Sequence, residues 1–260
     1  MTRPAPLYVV TSPRPRMGKT LLARLLMEFF IHNERPLVGF DLNPREPMLA
    51  GRFPKLVWPV DVTDIRGQME LFDRLVADTT SIKVVDLGYG PFEHFFRVMG
   101  EIGFVPEARR RGIEAIILFV TDQAIATVRT YGELRNAVPA TFVPVHNEAV
   151  SLLFSREDFP PTRPECGTIR IPRLSQIVRG VVDRPSFSFN AYLANQPGGP
   201  TEVHSWTADL YAQFRDFELR LLMGELTSRL GGLPAPDPKP KPELKPAPKP
   251  APKRKGWLLG

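Results

Sequence analysis

The chain has 260 residues, a formal net charge of +6, one cysteine and 29 prolines. Residues 233–260 hold nine prolines and seven Lys/Arg against two Asp/Glu, which leaves 27 Lys/Arg and 26 Asp/Glu for the rest. The near-neutral body excludes a broad polyanion-binding surface argued from net charge, the lone Cys166 excludes an internal disulfide, and no apolar run reaches the ~18 residues of a membrane span.

With 43% hydrophobic residues, the chain can bury one sizeable core over roughly 200–250 residues. Leu7–Thr11 reads as a short buried strand, followed by Gly18-Lys19-Thr20 and then Leu21, Leu22, Leu25, Leu26, Phe29 and Phe30 at helical spacing. Arg35-Pro36 ends that helix, and Leu37–Asp41 is the next strand, closing in the turn Asp41-Leu42-Asn43-Pro44. The segment 56–60 reads as an edge strand because Pro59 cannot donate to a ladder.

A helix over 65–77 and a strand over 82–88 follow, then a helix over 92–102, the most strongly apolar strand over 113–121, a helix over 123–137 and a strand over 141–147 containing Pro144. Beyond Asn147 the pattern loosens to a short strand over 168–172, a short helix over 174–182 and a long helix over 201–230 stopped by Gly231-Gly232. Strands alternating with helices predict an α/β fold, a mostly parallel twisted sheet flanked by helices. The expected division is a domain over 1–232 and a tail over 233–260. That tail alternates Pro, Lys and Ala, which predicts an extended, polyproline-like, disordered segment ending in Trp257-Leu258-Leu259. With no charged leader before an apolar stretch, the expected location is the cytoplasm.

Gly18-Lys19-Thr20 after a strand and at the head of a helix carries a specific chemistry. The helix N-terminus offers free N–H groups and the positive end of a dipole, Lys19 can reach β- and γ-phosphates, and the Thr20 hydroxyl can ligate Mg²⁺. In the usual phosphate-loop pattern a glycine would stand at position 13, where this chain has Pro13.

Aligned on that tripeptide, Arg14-Pro15-Arg16-Met17-Gly18-Lys19-Thr20 resembles the deviant Walker A loop, K-G-G-x-G-K-T, of the ParA/MinD family of P-loop ATPases. Val38–Pro44 resembles the family's D-x-D-P segment, Val84–Gly88 its Walker B strand, Phe119–Asp122 a later strand end, and Val145–Asn147 the strand whose asparagine contacts adenine. The resemblance covers about residues 5–150. It implies a P-loop NTPase fold, ATP or ADP with Mg²⁺ as cofactors, and a bacterial homodimer that sandwiches nucleotide. It also implies nucleotide contacts along Arg16, Met17, Gly18, Lys19, Thr20 and Leu21, with Asn147 near the base and Thr20 and Asp86 at the metal. Lys19, Arg14, Asp41 and Asn43 then stand at the catalytic positions, Arg14 replacing the lysine that reaches into the partner's site.

Pro15 and Arg16 replace two glycines, which removes one N–H and crowds the loop. Asn43 stands where the family has the aspartate that positions the attacking water, and an amide cannot take up a proton as a carboxylate does. The expected function is therefore an ATP-binding, dimerising switch with weak or absent hydrolysis, which positions or assembles a cellular component. The alternatives are a pseudo-ATPase scaffold that binds partners without nucleotide, and a small-molecule kinase or ligase on a related fold. The tail is the expected contact for a protein partner, with a peripheral membrane contact as a second use. Arg109-Arg110-Arg111 reads as a solvated face, with non-specific DNA as the less favoured reading. The four histidines have no metal-ligand spacing.

Overall fold

The computed structural model describes residues 5–195 and 199–230. Seven strands, β1 (Leu7–Thr11), β2 (Leu37–Asp41), β3 (Val57–Pro59), β4 (Ile82–Asp86), β5 (Ala115–Thr121), β6 (Thr141–Asn147) and β7 (Ile169–Ile171), form one sheet in the order β3-β2-β4-β1-β5-β6-β7. Every pairing is parallel. The expected α/β class is what the chain adopts.

The strands are buried on both sides, so they read as near-continuous apolar runs, and alternate residues feed two separate cores. Tyr8, Val10, Val84, Ile116, Leu118 and Val143 face one side, where α1 (Lys19–His32) and α9 (Glu202–Leu230) pack. Leu7, Val9, Val85, Ile117, Phe119 and Phe142 face the other, covered by α3 (Ile65–Ala77), α4 (Phe92–Glu101), α5 (Phe104–Arg110) and Tyr131 of α6 (Ile125–Ala137). The long helix is held by aromatic contacts: the Phe29 ring lies 5.4 Å from Tyr211 and 5.5 Å from Phe214, both edge-on. Each such buried ring contributes on the order of 1.5–3 kcal/mol through burial.

β3 is an edge strand as expected, pairing with β2 alone. Pro144 is tolerated inside β6 because β7 pairs only from Val145 onward. The helix expected over 92–102 ends at Glu101, and Gly103, at φ 60, turns the chain into α5. Three short helices, α2 (Met48–Arg52), α5 and α8 (Phe189–Ala194), were not foreseen, and α7 spans Gln176–Val182. Among the described residues no helix is long and apolar enough to cross a membrane. The tail expected over 233–260 lies outside the described residues.

Candidate nucleotide site

β1 sits between β4 and β5, where chain connections diverge to opposite edges, and the crevice at such a point is where open α/β sheets place ligands. The segment 12–18 crosses that crevice and enters α1. Gly18 adopts φ 85, and the first helical bond runs from Leu22 N to Gly18 O at 3.0 Å. The N–H groups of Lys19, Thr20 and Leu21 therefore have no backbone acceptor among the described residues. Arg16 also lies in the left-handed region, at φ 58, where a side chain costs about 1–2 kcal/mol. A glycine-style loop path is thus retained without the glycine.

Lys19 is buried, and its Nζ donates to the Arg14 carbonyl oxygen at 2.6 Å. Burial pushes its ammonium down to about 8, with Asp86 pulling in the opposite direction. Asp86 is paired in register with Val10 on one side and Asp41 on the other. It is wholly buried, and neither oxygen accepts a hydrogen bond of full geometry among the described residues. Burial pushes its carboxyl up to about 7; the nearby Thr20 hydroxyl lowers it, Asp41 raises it, and Lys19 lowers it. The Thr11 and Ser12 hydroxyls are likewise buried without hydrogen-bond partners among the described residues.

A buried carboxylate left without donors is costly unless something else completes it. Among the described residues no cluster of three or more His, Cys, Asp or Glu could hold a metal alone. Asp86 and the neighbouring Thr20 hydroxyl do fit a hard cation that arrives with phosphate, since Mg²⁺ is usually held by one or two carboxylates plus phosphate oxygens.

Asp41 is fully committed elsewhere. Its Oδ1 accepts from Asn43 N (3.1 Å) and Nδ2 (2.8 Å), and its Oδ2 from Leu49 N (2.8 Å) and Ala50 N (3.1 Å). It thereby caps α2, whose own cap position, Pro47, has no polar side chain. Asn43 is turned inward, with its Oδ1 lying 2.0 Å from where a Cβ on Gly88 would stand. Asn147 reaches the loop: its Nδ2 donates to Met17 O at 3.0 Å while its Oδ1 accepts from Ala149 N at 3.1 Å. Arg14 Nη1 donates to Asp122 Oδ2 at 2.5 Å.

Beside the loop opens a cavity of about 780 Å³ lined by Arg16, Gly18, Leu21, Asn147, Arg173 and Trp206, among others. The expected nucleotide residues Arg16, Gly18, Leu21 and Asn147 meet there, whereas Asp41 and Asn43 lie across the crevice near Asp86. Sequence reasoning gave Ser12, Arg173 and Trp206 no place at the site and marked Asp122 only as a strand end; of the first three, only Ser12, a hydroxyl directly after the first strand, offered a local signal. The basic run is engaged with its own chain. Arg110 and Arg111 each pair with Glu107 at 2.7 Å, and Arg109 donates to Pro139 O at 2.7 Å.

No family model and no curated protein matches the sequence. Solved structures do resemble the fold. The MinD cell division protein of Aquifex aeolicus is similar with a TM-score of 0.52 and 14% identity, over 89% of this chain and 99% of that one. A ParA family ATPase from Chlorobium tepidum is similar with a TM-score of 0.50 and 10% identity, over 81% and 99%. The chain has the ParA/MinD-like P-loop fold.

Proposed function

We propose that the protein is an ATP-binding switch in which two copies associate around nucleotide, with slow or absent hydrolysis, to position or assemble a component of a bacterial cell. The observation that carries this reading is the pairing of an orphaned, buried Asp86 carboxylate with the free N–H groups and Lys19 at the head of α1. Negative phosphate is favoured at that helix end by both the open donors and the dipole. Lys19 and Thr20 would hold the phosphates and Mg²⁺, Asp86 would complete the metal's shell through oxygen, and Arg14 would serve the second copy's phosphates bidentately. When bound, Mg²⁺ supplies positive charge against the phosphate oxygens. The protein's own contribution is to keep that crevice dry and the donors preset.

Slow hydrolysis is supported by the inward-turned Asn43 amide and by the four hydrogen bonds that occupy Asp41. Neither side chain is free to take a proton from an attacking water. Protein partners engage through the tail, in the cytoplasm; contact with an anionic membrane or with DNA is a lesser use.

Isothermal titration of ATP and ADP with Mg²⁺ tests the nucleotide reading. The full chain is expected to bind both, Lys19→Ala to lose at least tenfold in affinity, and sedimentation to show ATP-dependent dimers. Absence of heat with either nucleotide would establish instead the scaffold reading. That second reading draws on the Lys19 ammonium, which the Arg14 carbonyl already occupies, and on Pro15.

A further inference from the structure

The C-terminal turns of α9 carry apolar residues on two opposite sides. Phe214, Phe217 and Leu221 are buried against the sheet. Leu219, Leu222, Met223 and Leu226 are 60%, 37%, 61% and 43% exposed. Their i, i+3, i+4, i+7 spacing is that of one helical stripe, and at 3.6 residues per turn it falls opposite Phe217. Single exposed leucines are ordinary, whereas four in an unbroken row mark a contact surface.

The sequence supplies an occupant of matching size. After Leu230, Leu233 and Leu244 stand singly, and Trp257-Leu258-Leu259 is the only run of adjacent large apolar residues. The stripe from Leu219 to Leu226 is about 10 Å long at 1.5 Å per residue, and three extended residues span about 10 Å. The 26 residues from 231 to 256 have to return only about 12 Å along the helix. A Pro-rich sequence of that length is a semi-rigid spacer rising about 3.1 Å per residue, so its contour of roughly 80 Å far exceeds the return required. Because segment and stripe share one chain, their meeting is intramolecular and needs no second copy.

We infer that the Trp257-Leu258-Leu259 segment docks on the Leu219, Leu222, Met223, Leu226 stripe of its own chain, so that the tail's apolar end is masked until a partner displaces it. This does not depend on the nucleotide reading and fails or stands separately from it. The test uses the full-length chain with Trp58→Phe. Trp58 is 49% exposed and Trp206 only 6%, so acrylamide quenching then reports on Trp257. Quenching is expected to rise at least twofold in Leu222→Ser/Leu226→Ser, checked for native circular dichroism. Hydrogen exchange over 219–227 is expected to accelerate at least twofold in Trp257→Ala/Leu258→Ala/Leu259→Ala, a variant that leaves α9 untouched. Both effects should be independent of protein concentration. Unchanged exchange and quenching would overturn the inference, and so would protection that grows with concentration, because the stripe would then pair with a second copy.

Discussion

Asn147, the last residue of β6, pins the phosphate loop by donating to the Met17 carbonyl at 3.0 Å. Its position also explains Gly18: a Cβ there would lie 2.4 Å from Asn147 Nδ2, and the φ of 85 disfavours any other residue. The amide oxygen is held by Ala149 N, so both ends of the side chain are occupied.

Replacing Asn147 therefore separates loop pinning from base recognition. Asn147→Ala removes a buried hydrogen bond and is expected to cost about 1–3 kcal/mol of stability, read by urea denaturation. If pinning is its role, affinity for ATP, GTP and inorganic triphosphate should fall by a similar factor in titration. A loss confined to ATP would identify a base contact instead.

Arg14 is held 108 residues away in sequence by Asp122, in a pair whose side chains are 52% and 10% exposed. Solvent and salt screen such a pair, which contributes about 1 kcal/mol or less. Asp122→Asn should barely shift the melting temperature, yet free the guanidinium to reach a second copy's phosphates. The expected result is an ATP-dependent dimer that forms at several-fold lower protein concentration in sedimentation, and Arg14→Ala should abolish that gain. Equal dimerisation in Asp122→Asn and the parent would show that the pair does not hold Arg14 back.

What could be read from the sequence tracks how local each signal is. β1, the Gly18-Lys19-Thr20 turn and α1 are contiguous, and their periodicity and chemistry sit within about 25 residues. The Asn147 contact to Met17 spans 130 residues, so the asparagine was recognised by its strand end while its partner was not. Asp41 was legible as a strand-end carboxylate, but its four donors come from Asn43 and from α2, five residues long and too short to show a period. The break between α4 and α5 rests on Gly103 at φ 60, a conformation that apolar spacing does not report.

Glu114 gives a pH dependence of definite sign. Burial raises its carboxyl above the ordinary range; the Thr141 hydroxyl lowers it, Glu225 on α9 raises it by hydrogen bond and charge, and Arg163 lowers it. Glu114 Oε1 accepts from Thr141 Oγ1 at 2.8 Å and from Arg163 Nη1 at 2.9 Å. A raised acid keeps a proton in the folded state that the unfolded chain has lost, so its stabilising contribution is complete below the ordinary pKa of 4.5 and is lost as pH rises through the folded value. Glu114→Gln keeps an acceptor for Thr141 and Arg163 and offers Glu225 a donor. Melting curves between pH 4 and 8 should show a flatter slope in Glu114→Gln, with equal or higher stability at the alkaline end. A parallel slope in both proteins would assign the pH dependence to other groups.

Arg24 and Glu28 on α1 form an ion pair whose side chains are 3% and 4% exposed. Arg24 Nε donates to Glu28 Oε1 at 3.1 Å, its Nη1 to Val182 O at 2.8 Å, and its guanidinium lies 4.5 Å from the centroid of the Phe189 ring. Glu28 Oε2 accepts from Ser188 Oγ (2.8 Å) and Asn190 N (3.0 Å). The pair thus fastens α1 to the chain between α7 and α8, and Val182 and Asp183 there also line the cavity beside the phosphate loop. Removing one partner leaves a buried charge uncompensated, so Glu28→Ala is expected to cost about 3–5 kcal/mol. Glu28→Gln keeps the acceptor geometry and should cost less. The denaturation midpoints should rank parent, Glu28→Gln, Glu28→Ala, and the double variant Glu28→Ala/Arg24→Met should recover part of the loss. Equal costs for the single alanine and double variants would show that packing of the segment, and not the unpaired guanidinium, sets the energy.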